Sequence, residues 1–88
     1  MLIKYHNLFK KAYKKRIIMN PVLDKKTEEI ITIFKNNHRD PILRDHLLKG
    51  KKQDLRAFSI TGDIRIVYKI ISKNEVLFLD IGSHNQVY

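Results

Sequence analysis

Apolar positions recur at two different spacings in the first part of the chain. The short apolar stretch at residues 1–5 suits a strand better than a helix. Helical spacing follows over Asn7–Ile18, with basic residues between the apolar ones. Asn20-Pro21 is a helix-start signal, because asparagine accepts a free backbone amide hydrogen and proline fits the first turn. A second apolar stripe then continues to Asn36-Asn37, so the pattern predicts one strand followed by two antiparallel helices packed as a hairpin.

The second half of the chain changes to strand-like segments separated by turn residues. Pro41–Gly50 has helical spacing for barely two turns, and we expect a turn-rich connector there. Leu55–Ile60 and Ile64–Ile71 flank Thr61-Gly62-Asp63, and Val76–Ile81 follows a polar turn. These segments predict a three-stranded antiparallel meander. The expected fold class is therefore α+β, with helices against a sheet in a single domain spanning residues 1–88.

Charge and cysteine content narrow the classes of function. Eighteen Lys and Arg against nine Asp and Glu give a net charge of +9, which favours nucleic acid as partner first and an acidic protein second. The absence of cysteine excludes a disulfide framework, a thiolate nucleophile and a cysteine-based zinc site. No apolar run approaches the roughly 20 residues of a membrane span, and no signal-peptide pattern is present. We therefore expect a cytoplasmic protein without membrane contact.

Sequence motifs from residue 45 onward resemble those of the RelE/YafQ toxins of bacterial type II toxin–antitoxin systems, and the predicted order of elements is also similar to theirs. The motifs, in chain order, are Asp45-His46-Leu47-Leu48-Lys49-Gly50, Leu55-Arg56, Gly62-Asp63-Ile64-Arg65-Ile66-Val67-Tyr68 and Ile81-Gly82-Ser83-His84-Asn85-Gln86-Val87-Tyr88. The resemblance implies an mRNA interferase that cuts message on the ribosome by turning the RNA 2′-hydroxyl against the adjacent phosphate, without metal or other cofactor. It also implies a cognate antitoxin whose acidic, partly disordered segment covers the basic toxin.

The resemblance further implies catalytic roles for three side chains that titrate or carry a carboxylate. His84 is the first choice as acid or base, because imidazole titrates near neutrality; the ordinary interpretation is an exposed loop histidine. His46 matches a functional histidine of the YafQ pattern, and Asp45 either orients it or begins a turn. Asp63 matches a carboxylate of that pattern, although aspartate is also common in tight turns for backbone reasons.

Two further residues match the pattern of the RelE toxins. Arg65 alternates with apolar strand positions, so it points to the opposite face, where it either stabilises a phosphate or is simply exposed. Tyr88 matches a terminal aromatic that stacks on a base or positions the phosphate, although chain ends fray unless held. Ser59 departs from the pattern, because YafQ toxins carry a second central histidine there, and serine is not an acid or base at neutral pH. The division of acid and base roles is thus left open.

Four basic residues near the central motifs are candidates for RNA binding: Lys49, Lys51, Lys52 and Arg56. The ordinary interpretation of such charges is a solvated surface. Two alternative functions also fit the sequence. One is a toxin similar to the ParE proteins, which inhibit DNA gyrase by binding, and the other is a catalytically inactive RNA-binding member of the same fold. A pure inhibitor has no need of the histidines and the carboxylate.

Overall fold

Two helices cover one face of a mixed sheet in the computed structural model, which describes residues 1–50 and 54–88. The sheet has five strands within those residues, in the order β1-β5-β4-β3-β2. Along the chain, the elements are β1 (Leu2–Tyr5), α1 (Asn7–Arg16), α2 (Pro21–Asn36), a 3₁₀ turn (Pro41–Leu43), β2 (His46–Leu47), β3 (Leu55–Ser59), β4 (Ile64–Ser72), β5 (Glu75–Ser83) and α3 (His84–Val87).

The predicted order of a strand, two helices and a three-stranded meander is confirmed. β3, β4 and β5 pair antiparallel in sequence, while β1 pairs with β5 in parallel. A parallel neighbour requires a crossover, and the long connection from β1 through the two helices allows one. α1 ends at Arg16, two residues earlier than the helical spacing suggested.

α2 begins where the sequence predicted and packs its apolar stripe on the sheet. The Asn20 side chain accepts a hydrogen bond from the Leu23 amide at 3.2 Å, and Pro21 is the first helical residue. Thr27, Ile30 and Phe34 are buried on one side of the helix. The aromatic rings of Phe34 and Phe58 stack with 4.4 Å between their centres, and together with residues of α1 they form the main core.

Two short elements were not predicted, and both help to form the candidate site. The connector after α2 contains the two-residue strand β2 beside β3, and the chain ends in the single-turn helix α3. Each covers only about one period of the patterns that reveal strands and helices in a sequence, which is too short for a repeat to show. No helix in the described part of the chain is long and apolar enough to cross a membrane.

Candidate active site

The face of the sheet opposite α2 carries a small apolar cluster of its own. Ala57 of β3 and Val67 of β4 are cross-strand neighbours there, and both are buried. Leu48 and Val87 complete the cluster, so the chain returns to this face at its C-terminal end. Because side chains alternate along a strand, every second residue of β3 and β4 counted from these two lies on the same face. We call it the site face.

Arg65 lies on the site face, and its positive charge is not neutralised by an ion pair with any described residue. Its neighbours Ile64 and Ile66 pack in the main core, and it pairs across the sheet with Ser59 on β3. The guanidinium carbon lies 5.8 Å from the centre of the Tyr88 ring. In the described residues no ion pair involves Arg65, and its buried Nε has no hydrogen-bond partner. A half-buried guanidinium beside a ring and without a counter-ion is suited to binding a phosphate.

α3 brings His84 and Tyr88 together above Arg65. His84 is the first residue of the helix and is exposed, while the Tyr88 amide donates to the His84 carbonyl oxygen at 3.0 Å. The two rings meet edge to face, with 4.6 Å between their centres. Tyr88 also packs against the apolar cluster of the site face, so this terminal residue is held in place. One imidazole, one phenol ring and one guanidinium therefore converge at this point.

Gln86 and Gly82 position α3, and sequence reasoning missed both. The Ser83 amide donates to the Gln86 Oε1 at 2.8 Å, which closes the start of the helix. A Cβ at Gly82 would lie 2.6 Å from this same oxygen and 2.8 Å from Nη1 of Arg16, so only glycine leaves room for them. The Arg16 guanidinium donates to the Ile81 carbonyl oxygen at 2.9 Å. The Ser-x-x-Gln spacing of a capping box was the available signal for this short helix.

His46 lies on the site face at the edge of the sheet. It pairs with Ala57 across β2 and β3, and cross-strand neighbours point to the same side. Its Nδ1 lies 3.0 Å from the carbonyl oxygen of Arg44. Because a carbonyl only accepts hydrogen bonds, this contact favours the tautomer with hydrogen on Nδ1 and leaves Nε2 able to take a proton.

Asp45 does not orient His46, because its carboxylate is used on the opposite face. Its Oδ1 accepts from Nε of Arg56 at 2.9 Å, and its Oδ2 accepts from the Tyr68 hydroxyl. Burial and the adjacent Asp45 both raise the pKa of Tyr68 above its ordinary range. Burial acts to lower the pKa of Arg56, but the hydrogen bond and charge of Asp45 outweigh it, so that pKa is raised. Arg56 is thus ion-paired and lies away from the site face.

The remaining sequence candidates are not joined to this cluster by the described contacts. Asp63 is exposed in the β3–β4 turn, where its amide donates to the Thr61 hydroxyl oxygen at 3.2 Å. In the described part of the chain, no hydrogen bond or ion pair links its carboxylate to His84 or Arg65. Lys49 is exposed just beyond the site-face residue Leu48. Lys51 and Lys52 lie outside the described residues.

Comparison with known proteins identifies the same toxin family that the sequence motifs resemble. A family model described as a bacterial toxin of type II toxin–antitoxin systems, YafQ, matches residues 1–88. The chain belongs to the YafQ toxin family. Curated proteins yield no match to it.

Solved structures of bacterial toxins share the fold over nearly the whole chain. A copper-bound mutant of a toxin from Helicobacter pylori is 28% identical, with a TM-score of 0.81, and the alignment covers 100% of this chain and 99% of that one. YafQ from E. coli strain BL21(DE3) is 21% identical, with a TM-score of 0.80 and coverage of 98% and 96%. The toxin in the E. coli DinJ-YafQ toxin–antitoxin complex is 21% identical, with a TM-score of 0.78 and coverage of 98% and 94%.

Proposed function

We propose that this YafQ-family toxin is an endoribonuclease that cuts mRNA on the ribosome and so inhibits translation. The observation that carries the proposal is the grouping of Arg65, His84 and Tyr88 on the site face. The guanidinium has no ion pair among the described residues, the imidazole is exposed, and the same ring contacts both. A cation, a titratable group and a stacking surface are what cleavage of a single RNA strand requires.

The proposed reaction is an internal transesterification of the RNA. A base removes the 2′-hydroxyl proton, the 2′-oxygen bonds to phosphorus, and the bond from phosphorus to the 5′-oxygen breaks. An acid protonates the departing 5′-oxygen, so the products are a 2′,3′-cyclic phosphate and a free 5′-hydroxyl. Negative charge accumulates on the phosphorane between these events, and Arg65 is placed to stabilise it. Protein side chains alone complete the proton balance.

The two histidines on or beside the site face share the proton transfers in this proposal. The His46 tautomer favoured by the Arg44 carbonyl contact supports a role as base, through Nε2. His84 then acts as the acid, and Tyr88 stacks on a base or positions the phosphate. Asp63 supports the reaction from the neighbouring turn, as the family pattern implies. Ser59 lies directly across from Arg65, where it offers a hydroxyl in place of the family's imidazole.

We also propose a cognate antitoxin as the partner of this chain. The E. coli relative was solved as a DinJ-YafQ complex. A net charge of +9 suits an acidic, partly disordered segment that folds as it covers the toxin. Lys49, Lys51 and Lys52 are proposed as RNA contacts. Arg56 is already paired with Asp45, so its contribution to RNA binding would be made from the other face.

The experiment is a purified translation reaction with and without the protein, followed by gel analysis of the message. The wild-type chain should cut the translated mRNA, and His84→Ala should lower the rate by about 10²–10⁴-fold, the range for losing a general acid or base. His6→Asn is the matched control, because His6 accepts from the Leu8 amide at the start of α1 and asparagine can do the same. Intact message with folded wild-type protein would contradict the proposal and direct attention to gyrase.

A further inference from the structure

A cavity of about 520 Å³ lies on the side of the sheet opposite the site face. Arg56 lines it, and its cross-strand neighbour Tyr68 is buried in the main core, which fixes the side on which the cavity lies. The segment between α2 and β2 forms the other wall and contributes Arg39 and Arg44. We call this space the arginine cavity. None of these three arginines contributes to the Arg65 grouping.

The arginines that line the described cavity outnumber the aspartates that line it. Asp45 accepts from both Arg56 and Tyr68, so both of its oxygens are occupied. Asp40 accepts from the Ile42 amide at 3.0 Å at the start of the 3₁₀ turn. Arg39 and Arg44 are exposed, and no ion pair involves either of them among residues 1–50 and 54–88. Arg39 and Arg44 thus form no ion pair in the described part of the chain, and three arginines against two aspartates leave the described lining with one positive charge in excess.

Arg44 holds its place in this cavity at a conformational cost. Its φ of 50° and ψ of 39° put it in the left-handed region, which glycine and asparagine adopt far more readily than arginine. Residues in such strained conformations cluster at functional sites, where the surrounding structure holds them in place. The turn itself would be satisfied by glycine, so the arginine side chain is the feature that needs an explanation.

We infer that the arginine cavity binds a backbone phosphate of RNA, as a second contact beyond the cleaving face. One guanidinium can donate two parallel hydrogen bonds to the oxygens of a phosphate. The side chains of Arg39 and Arg44 donate no hydrogen bond and form no ion pair within the described residues. A protein partner would need more apolar surface than Pro41 and Ile70, the apolar members of the lining, provide. The cavity and His46 lie on either side of β2 at the sheet edge, so one RNA strand can pass around that edge. This inference rests on the proposed RNA substrate.

The test measures binding of a 2′-O-methylated RNA oligonucleotide, which this chemistry does not cleave, by fluorescence anisotropy at several salt concentrations. The double variant Arg39→Gln/Arg44→Gln should weaken binding and reduce the slope of log K against log salt by about 0.7, the value for one phosphate on a single strand. The control Lys25→Gln/Lys73→Gln removes the same charge from exposed positions outside the cavity. An equal change in slope for both double variants would overturn the inference.

A second variant tests whether loss of RNA binding comes from unfolding, and a second ligand tests whether the cavity prefers an acidic protein to RNA. Arg44→Gly removes the guanidinium and suits the left-handed backbone, so it should stay folded and still lose RNA affinity. Oligoglutamate of matched charge tests an acidic protein partner; loss of its binding in Arg39→Gln/Arg44→Gln with RNA binding unchanged would contradict an RNA site. The binding assay needs no cleavage. If the wild-type chain binds RNA through these arginines and cuts nothing, the proposed function falls and the cavity inference stands.

Discussion

Arg65 shows how one strand position can combine burial with an available charge. The side chain is half-buried between the Ser59 and Gly82 positions, yet the described residues provide no carboxylate for it. Leaving a cation without a partner in a partly buried place costs free energy, and proteins accept that cost mainly where a ligand supplies the missing charge. The contact with Tyr88 offsets only part of it.

Two substitutions of Arg65 should therefore distinguish the contribution of its positive charge from that of its planar guanidinium. Arg65→Ala should lower kcat for mRNA cleavage by about 10²–10³-fold, the range seen when one donor to a developing negative charge is removed. Arg65→Lys keeps the charge but loses the planar fork, so we expect a smaller loss, on the order of tenfold. Single-turnover cleavage rates give both numbers. Equal rates for wild type and Arg65→Ala, with both folded, would remove Arg65 from the mechanism.

Some contacts at the residue scale follow from the sequence and others do not. The alternation of Ile64 and Ile66 with Arg65 is enough to place Arg65 opposite the main core. The partners of Asp45 could not be predicted, because Arg56 and Tyr68 are 11 and 23 residues away in the chain and meet it only in the folded sheet. The sequence alone left two roles open for Asp45, which were to orient the neighbouring His46 or to begin a turn.

α3 is a single helical turn, and the positions of His84 and Tyr88 in the site depend on it. It places the rings of His84 and Tyr88 four residues apart on a helix, so that they face each other above the site. Such a short helix has little stability of its own and relies on its cap and on packing of Val87. Gln86 is therefore a positioning residue, which acts through the geometry of α3.

Two substitutions at Gln86 should distinguish capping from simple loss of a side chain. Gln86→Ala removes the acceptor for the Ser83 amide and should lower kcat on the order of tenfold through misplacement of His84 and Tyr88, while KM changes less. Gln86→Glu keeps an acceptor of the capping-box type and should restore most of the rate. Steady-state kinetics with a urea unfolding curve checks this. A KM effect alone, or no rescue by glutamate, would argue against the positioning role.

Long elements of the fold were predictable, while short ones were not. α2 carries its own start signal at Asn20-Pro21 and several turns of apolar spacing, so its bounds follow from local chemistry. β2 has two residues and exists because β3 offers it an edge to pair with. The parallel placement of β1 beside β5 is likewise a property of the assembled sheet. Local patterns contain no information about such partners.

At the scale of the molecule, positive charge is available on both sides of one sheet. The site face presents Arg65, and the arginine cavity presents Arg39 and Arg44 on the other side. The ion pair of Asp45 with Arg56 lies in the arginine cavity and neutralises one of the arginines there. RNA that contacts both sides would be positioned by several phosphates while only one is cleaved, which is consistent with the net charge of +9.

If this protein cuts RNA with its own side chains through the 2′-hydroxyl, the end groups of the fragments will show it. Message translated with the purified protein is recovered, and its fragments are labelled with polynucleotide kinase, which accepts only free 5′-hydroxyls. The 3′ ends are treated with phosphatase before and after acid opens any cyclic phosphate. We expect fragments with 2′,3′-cyclic phosphates and 5′-hydroxyls from the wild-type chain, and no such fragments from the His84→Ala variant. Products with 5′-phosphates, or the same ends with His84→Ala, would contradict this mechanism.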